Sequence, residues 1–284
     1  MPDLPRPHRL FGPAVSVDRR TAAVQVTRKA APALFPTPDA ARRFLFQIIL
    51  PPSMGWSFIS VGKNASSSVL SLLFRVEFGC DMNVSVTPES DINPAAAIHM
   101  LADSRVFARA LHRGMSLPDL LGAKGPKERI CVVRDPMARA VSAFRYFCRS
   151  DALKSRWFAA DRFRINAALG FDWTRHPDTN EGFRLFLRYI AQEAEQLGED
   201  MLDGHWRPQT AFIKPDAFRP TLTGRMEDMH AFFRTLSDRL GLAPDTPAPW
   251  ENRQNTDDDP LLHDPLAQAL CQQVYADDYE AFGY

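Results

Sequence analysis

The sequence predicts an α/β protein with a P-loop-like open parallel sheet flanked by helices and a largely helical C-terminal half. Two segments support this prediction, because in each a short apolar run is followed by polar residues and then by a helical pattern. The first covers residues 58–79 (FISVGKNASSSVLSLLFRVEFG) and the second covers residues 129–150 (RICVVRDPMARAVSAFRYFCRS). A strand–loop–helix unit of this kind points backbone N–H groups and the positive end of a helix dipole at an anion.

The first 40 residues are rich in Pro and Arg and show no sustained hydrophobic period. We therefore expect residues 1–40 to form an extended N-terminal arm. Residues 41–284 contain no internal repeat and no clear linker. They are predicted to form a single domain, which at this length can bury a large core.

The first unit begins with a short apolar run at Trp56–Gly62, which is typical of a buried parallel strand. Apolar residues at helical spacing follow, and Gly79 is placed to end the helix. A triphosphatase loop, G-x-x-x-x-G-K-S/T, has its lysine at the end, whereas Lys63 comes first here and serines follow it. Lys63, the serine hydroxyls and the start of a helix together supply the cation and donors that a multiply charged anion needs.

The second unit has a four-residue strand core, ICVV, followed by Arg134. Asp135 is a good N-cap and Pro136 suits the first helical position. Arg134 stands at the carboxyl end of the strand, where ligands bind in open α/β sheets, and Ser142 lies on the side of the helix opposite its apolar stripe. Two separated anion sites suggest a nucleoside that carries phosphate groups at both its 5′ and 3′ ends.

The rest of the chain is predicted to be mainly helical. Apolar residues recur at helical spacing in residues 181–198 and 226–241, and a last helix is expected from about residue 265 to residue 279. Residues 243–260 are dense in Pro, Asp and Asn, which is typical of a loop.

The composition excludes several classes of protein. Net charge is formally zero, so no global field draws the chain to nucleic acid or to an anionic membrane. The 4 cysteines are widely spread without a C-x-x-C pair, which predicts neither a disulfide framework nor a zinc site. No apolar run approaches the roughly 20 residues of a membrane-spanning helix. We expect a soluble, cytoplasmic protein with no nucleic-acid partner and no membrane span.

The two segments resemble the sulfotransferase superfamily, and within it the carbohydrate sulfotransferases of the family 2 type. GKNASSS is similar to that family's P-K-x-G/A-S/T-S/T-S/T loop, with Gly62 in place of the proline that stiffens the loop entry. VVRDPMARAVSAF is similar to V-R-D/N-P-x-x-R-x-x-S-x-Y/F. HWRPQ (residues 205–209), GRMEDM (residues 224–229) and the ending VYADDYEAFGY also fit, so the resemblance covers roughly residues 56–284.

The resemblance implies an enzyme that moves a sulfuryl group from 3′-phosphoadenosine 5′-phosphosulfate (PAPS) to a hydroxyl of a carbohydrate by in-line transfer, with no metal required. Lys63 would contact the phosphosulfate and neutralise charge on the leaving phosphate. Arg134 and Ser142 would bind the 3′-phosphate. The residues that would cradle the 5′-phosphate are Asn64, Ala65, Ser66, Ser67 and Ser68. Relatives in eukaryotes are usually membrane-anchored, so a chain without an anchor is expected to be bacterial.

An acceptor hydroxyl also needs a general base. His99, His112 and His205 are candidates, with the acids Glu77, Asp103 and Glu128 behind them. His112 lies in the segment that leads into the Arg134 strand, where several sulfotransferases place their catalytic histidine, so the resemblance favours His112.

Two parts of the family-like motifs have roles that the sequence leaves open. His205 and Arg207 would contact the acceptor, although packing fits them equally well. Arg139, one helical turn before Ser142, would either reach the nucleotide or pair with an acid, and we favour the ion pair.

Two other functions remain open at this point. A kinase-like enzyme that uses a triphosphate is disfavoured by the order of the first loop and by the lack of a convincing metal-binding carboxylate after a strand. A non-catalytic nucleotide- or glycan-binding protein would keep both anion sites and lack the base.

Overall fold

A computed structural model describes residue 10 and residues 15–86, 92, 94–242 and 258–284. In the described chain, five strands form one sheet in the order β3–β1–β2–β4–β5. They are β1 (Ile48–Leu50), β2 (Trp56–Ile59), β3 (Ala108–Arg109), β4 (Glu128–Val133) and β5 (Leu222–Arg225). Strands β2, β4 and β5 pair in parallel, and β1 is antiparallel to both its neighbours. The predicted open α/β sheet is confirmed, with β1 as the one described strand that runs against the others.

Helices cover most of the remaining chain. They are α1 (Val17–Ala30), α2 (Pro38–Gln47), α3 (Ser66–Phe78), α4 (Leu117–Leu121), α5 (Pro136–Ala152), α6 (Ala159–Leu169), α7 (Asn180–Leu197), α8 (Gln209–Ile213), α9 (Pro215–Phe218), α10 (Met229–Leu240), α11 (Pro265–Val274) and α12 (Ala276–Phe282). Short 3₁₀ segments occur at Pro94–Leu101, Glu199–Met201, Met226–Asp228 and Pro260–His263. Where the structure describes the chain, no helix is both long and apolar enough to cross a membrane.

Strands β2 and β4 place the two predicted loops side by side. Their register aligns Ile59 with Cys131, and each strand is followed by a loop and a helix, α3 after β2 and α5 after β4. Because the carboxyl ends of parallel strands meet at one edge of a sheet, both loops open at the same edge.

Buried apolar residues form three clusters. One packs α3 and α10 against the sheet, a second packs α1, α2, α4 and α9 against it, and a third holds α5, α7 and α11 together. The helical C-terminal half therefore has a core of its own, which is built largely from aromatic side chains.

The structure bears on three further predictions about residues 1–40, the last helix and the loop at residues 243–260. Residues 17–30 form α1, so the predicted extended conformation is wrong there: Ser16 caps the helix, and Ala23, Val24 and Thr27 are buried. The sequence pattern does not predict α1, because its buried stripe is short and lies among arginines. The last predicted helix is two helices, which meet at Tyr275. Most of the predicted loop at residues 243–260 lies outside the described residues, and the division into an arm and one domain remains a prediction.

Candidate active site

The loop after β2 has a backbone that suits anion binding. Lys63 (φ 70°) and Ala65 (φ 53°) both adopt the left-handed conformation, which is strained for residues with a side chain and concentrates at ligand sites. Ala65 is the N-cap residue of α3, and no side chain caps this helix. The first residues of α3, Ser66, Ser67 and Ser68, lie at the positive end of the helix dipole, an arrangement that suits an anion.

Gly62 and Arg139 fix the entry to this loop. A Cβ on Gly62 would lie 2.8 Å from the carbonyl oxygen of Gly204, so the glycine permits a close backbone contact. The buried guanidinium of Arg139 donates to the carbonyl oxygens of Gly62 (3.1 Å), Arg207 (2.9 Å) and Gly204 (3.3 Å). The favoured ion pair with an acid is thus replaced by three backbone acceptors, and Arg139 joins the loop to the HWRPQ segment.

Asn64 and Gln209 connect the two loops from behind. The buried Asn64 side chain donates to the carbonyl oxygen of Val132 (2.8 Å) and to Oε1 of Gln209 (2.7 Å). Gln209 in turn accepts from the backbone N–H of Arg134 and donates to its carbonyl oxygen, both at 2.9 Å. The side chain of Asn64 therefore holds the loop in place. Only the backbone of Asn64 could then make the expected contact with phosphate.

Arg134 lies in the loop after β4, directly before a helix whose N-terminus is capped by a side chain. Asp135 accepts from the N–H of Ala138 at 2.7 Å and so caps its own helix, as predicted. The Arg134 side chain is buried and donates to the carbonyl oxygen of Lys63 at 3.3 Å. Burial lowers the pKa of Arg134, and the charges of Glu227 and Asp135 oppose this shift. A buried cation in this situation gains from an anionic ligand.

A cavity of about 460 Å³ opens between the two loops; we call it the first cavity. Its described lining contains four cationic side chains, Lys63, Arg134, Arg145 and Arg149, and no Asp or Glu. The other predicted site residues that line it are Ala65, Ser66, Ser67, Ser68, Ser142 and His205. Among the described residues, no group of three or more His, Cys, Asp or Glu is placed to hold a metal ion. The first cavity has the charge that a polyanion requires.

Sequence reasoning missed three residues of α5 in this cavity. Arg145, Tyr146 and Arg149 follow Ser142 by three, four and seven positions and line the cavity with it, which is the spacing of one helical face. The Nζ atom of Lys63 lies 4.0 Å from the centre of the Tyr146 ring, a cation–π contact. The helical spacing from Ser142 is therefore sufficient to predict which residues of α5 line the cavity.

Two of the three candidate histidines line the first cavity. Nδ1 of His205 lies 2.7 Å from Oδ1 of Asp203, and its ring stacks on Tyr146 with centres 5.2 Å apart. Burial alone would raise the pKa of Asp203, but the hydrogen bond and charge of His205 outweigh it and the pKa is lowered. Nε2 of His99 lies 2.9 Å from the Ser67 hydroxyl.

The structure does not bring His112 together with the other predicted site residues. It lines a different cavity of about 1000 Å³, and its ring packs edge-on against Phe46. Burial and the charge of Arg109 lower the pKa of His112. The physical reason for its position is the order of the sheet: His112 follows β3 at the sheet edge, and β1 separates β3 from β2.

Arg207 lines another cavity of about 460 Å³, the second cavity, which adjoins the first. The two share Ser60, His99, Gly204 and Phe212 in their linings. The guanidinium of Arg207 donates through Nε and Nη2 to the carbonyl oxygen of Leu202, at 3.0 and 2.7 Å. The HWRPQ segment thus contributes His205 to one cavity and Arg207 to the other, and Gln209 links the loops.

The structure is an open α/β sheet in which the parallel neighbouring strands β2 and β4 end in loops with cationic side chains, and both loops line one cavity. In open α/β sheets this edge is where ligands bind. The sequence model of the sulfotransferase family matches residues 56–284, a range that contains both loops. The chain therefore belongs to the sulfotransferase family and is a sulfotransferase, as the motifs predicted. Comparison with curated proteins and with solved structures gave no match.

Proposed function

We propose that the protein transfers a sulfuryl group from PAPS to a hydroxyl of a carbohydrate acceptor. One observation carries the proposal: two anion-binding loops, one with a lysine and one with an arginine, open into one cavity whose described lining holds no carboxylate. A nucleotide with anionic groups at both its 5′ and 3′ ends matches two such sites, and a single phosphate chain does not.

The donor is held by residues of both loops. The N–H groups at the start of α3, with the hydroxyls of Ser66 and Ser67, bind the 5′-phosphate, because they lie at an uncapped helix N-terminus. Arg134 and Ser142 bind the 3′-phosphate, since both line the same cavity on the β4 side. PAPS supplies the activated sulfuryl group, and the chain supplies the positions and charges around it.

The chain's residues have distinct tasks in the transfer. The bond from sulfur to the phosphate oxygen breaks while the bond from sulfur to the acceptor oxygen forms. Lys63 neutralises the charge that grows on the leaving phosphate. His205 takes the acceptor proton at Nε2, because Asp203 holds Nδ1 and so fixes the tautomer and the orientation of the ring.

The choice of base is tested by His205→Ala and His112→Ala as a pair. We expect His205→Ala to lower kcat by about 10²–10⁴-fold, the usual contribution of a general base, with PAPS bound as in the parent. His112→Ala, in a different cavity, is the comparison variant. Loss of activity in His112→Ala with activity kept in His205→Ala would restore the original assignment from the sequence and reject ours.

The proposed donor is tested by thermal stabilisation with the product analogue 3′,5′-bisphosphoadenosine, compared with ATP, each with and without magnesium. A ligand that binds the folded state adds about 2.7 kcal/mol of stability at 100 times its Kd. We expect the bisphosphate to stabilise the protein equally with and without magnesium, and more than ATP does.

Greater stabilisation by ATP with magnesium would instead support the kinase-like function and contradict the proposal. Transfer is then measured with ³⁵S-labelled PAPS and a mixture of oligosaccharides. Binding of the bisphosphate without transfer to any acceptor, in a protein that keeps His205, would favour the non-catalytic alternative.

A further inference from the structure

The second cavity is built partly by residues that precede the family match. Arg42, Arg43 and Phe46 lie on α2 and line it, whereas the match begins at residue 56. Helix α2 contributes nothing to the described lining of the first cavity. Part of the wall of the second cavity, which adjoins the proposed donor site, therefore lies outside the range of the family match.

Positive charge dominates the second cavity. Its described lining contains four arginines, Arg42, Arg43, Arg109 and Arg207, and no Asp or Glu. Burial lowers the pKa of Arg207; Asp200 and Asp203 oppose this, and the charge of Arg43 lowers the pKa further. Arg43 and Arg207, which both line the cavity, thus repel each other, and an anion bound in the cavity would relieve that repulsion.

The four arginines differ in how far the protein already uses them. Arg109 pairs with Asp103 at 3.0 Å and lies over the Phe46 ring. Arg207 donates hydrogen bonds to the carbonyl oxygen of Leu202. Arg42 forms an exposed contact of 3.7 Å with Asp39. The Nε atom of Arg43 is buried and has no hydrogen-bond partner among the described residues.

A buried donor without a partner is costly in free energy, so Arg43 in particular favours an anionic ligand. The walls between the arginines are apolar and partly aromatic. They are formed by Phe46, Ile49, Leu70, Leu111 and Phe212. Aromatic and aliphatic surface beside charged groups suits a sugar ring, whose C–H face packs on apolar side chains while its substituents reach polar groups.

We propose that the second cavity binds the acceptor, and that the acceptor is a sugar with an anionic substituent, carboxylate or sulfate, held by Arg42 and Arg43. This inference rests on the proposed function. The shared lining sets the direction of the acceptor: a sugar seated in the second cavity extends past Ser60 and Gly204, and His205 follows Gly204 in the chain. Its hydroxyl then arrives beside the proposed base.

The test uses three probes of similar length: oligogalacturonate, which carries carboxylates, dextran sulfate, and neutral dextran. Binding is measured by calorimetry on the full chain, with 3′,5′-bisphosphoadenosine present, at fixed ionic strength. We expect one or both anionic probes to bind at least tenfold more tightly than dextran. The anionic probe that binds more tightly identifies the anionic substituent as a carboxylate or a sulfate.

The double variant Arg42→Gln/Arg43→Gln is compared with Arg28→Gln/Lys29→Gln, which removes the same charge from the exposed end of α1. The α2 variant should lose at least tenfold in affinity for the anionic probe. The α1 variant should stay within about twofold, because Arg28 and Lys29 are exposed, do not line the second cavity, and are screened by salt. Both variants should keep the parent affinity for the bisphosphate, which also reports that they fold.

Equal affinity of the parent protein for all three probes would overturn the inference, as would equal losses in the two double variants. Failure of the proposed function looks different: the parent would then not bind the bisphosphate, while the anionic probe would still depend on Arg42 and Arg43. The two proposals therefore stand or fall on separate measurements.

Discussion

The two strand–loop–helix units of this protein reach the same cavity by opposite means. At the first unit, helix α3 begins at Ala65 in a left-handed conformation, without a side-chain cap. At the second unit, helix α5 begins at Asp135, whose side chain accepts from the N–H of Ala138, and Pro136 has no N–H to offer. Under the proposed function, the first unit would therefore bind an anion through its backbone, and the second would bind it through the side chains of Arg134, Ser142 and their neighbours on α5.

This difference predicts different sensitivity to mutation. Substitutions that change only a side chain leave the backbone N–H groups in place, so binding at the first unit should tolerate loss of a hydroxyl, while its charge chemistry depends on Lys63. Binding at the second unit should depend on individual side chains, because its helix terminus is already satisfied. The helix N-terminus has no cap from its N-cap residue in the first unit, whereas the side chain of Asp135 caps it in the second.

The largest effect is expected for Lys63→Met, which removes the charge beside the leaving phosphate. We expect kcat to fall about 10²–10³-fold, the usual cost of losing one electrostatic stabiliser of a transition state. The Kd for 3′,5′-bisphosphoadenosine should change far less, because the α3 backbone remains. The exposed Lys29→Met is the control. Equal losses in kcat and in binding would show that Lys63 acts in ground-state binding, contrary to the comparison.

Arg134→Gln should give the next largest effect. A hydrogen bond to a charged group contributes about 1.5–3 kcal/mol, so the affinity for the bisphosphate should fall about 10–100-fold. The affinity for 5′-AMP, which lacks the 3′-phosphate, should stay near that of the parent. Comparable losses for both nucleotides, measured by calorimetry, would mean that Arg134 supports the whole cavity and does not read the 3′-phosphate.

The parts of this molecule that could be predicted from sequence are those set by short-range patterns. Strands β2 and β4, helices α3 and α5 and the cap at Asp135 follow from residues within one or two turns of each other. Both loops were found in this way, and the parallel pairing of their strands explains why they share a cavity.

The sequence could not show relations that depend on sheet order and on contacts across long stretches of chain. His112 precedes β4 in sequence, but its strand lies at the far edge because a three-residue strand, β1, occupies the position beside β2. Arg139 binds carbonyl oxygens more than 60 positions away, which no local pattern reveals. The second cavity also depends on such contacts, since α2 and the HWRPQ segment meet there.

Gly62→Ala tests why the first loop begins with glycine. An added Cβ would lie 2.8 Å from the Gly204 oxygen, and relief of that overlap would move the loop away from the HWRPQ segment. We expect a loss of about 1–3 kcal/mol in unfolding free energy, as for other overpacked sites. Gly55→Ala is the control, because its Cβ would meet the hydroxyl of Ser53 at an ordinary 3.4 Å. Equal stability of the two variants, measured by chemical denaturation, would mean that the contact yields without cost.

The smallest effect, Asp135→Ala, tests the comparison most directly. Loss of an N-cap side chain costs about 0.5–2 kcal/mol, so the variant should be less stable by about 1 kcal/mol without ligand. Ser66→Ala, at the first residue of the uncapped α3, should stay within about 0.5 kcal/mol of the parent, as surface substitutions usually do. If both substitutions cost the same in ligand-free unfolding, a side chain closes both helix starts. The start of α3 would then resemble the capped start of α5, and the proposed binding of the 5′-phosphate at α3 would lose its physical basis.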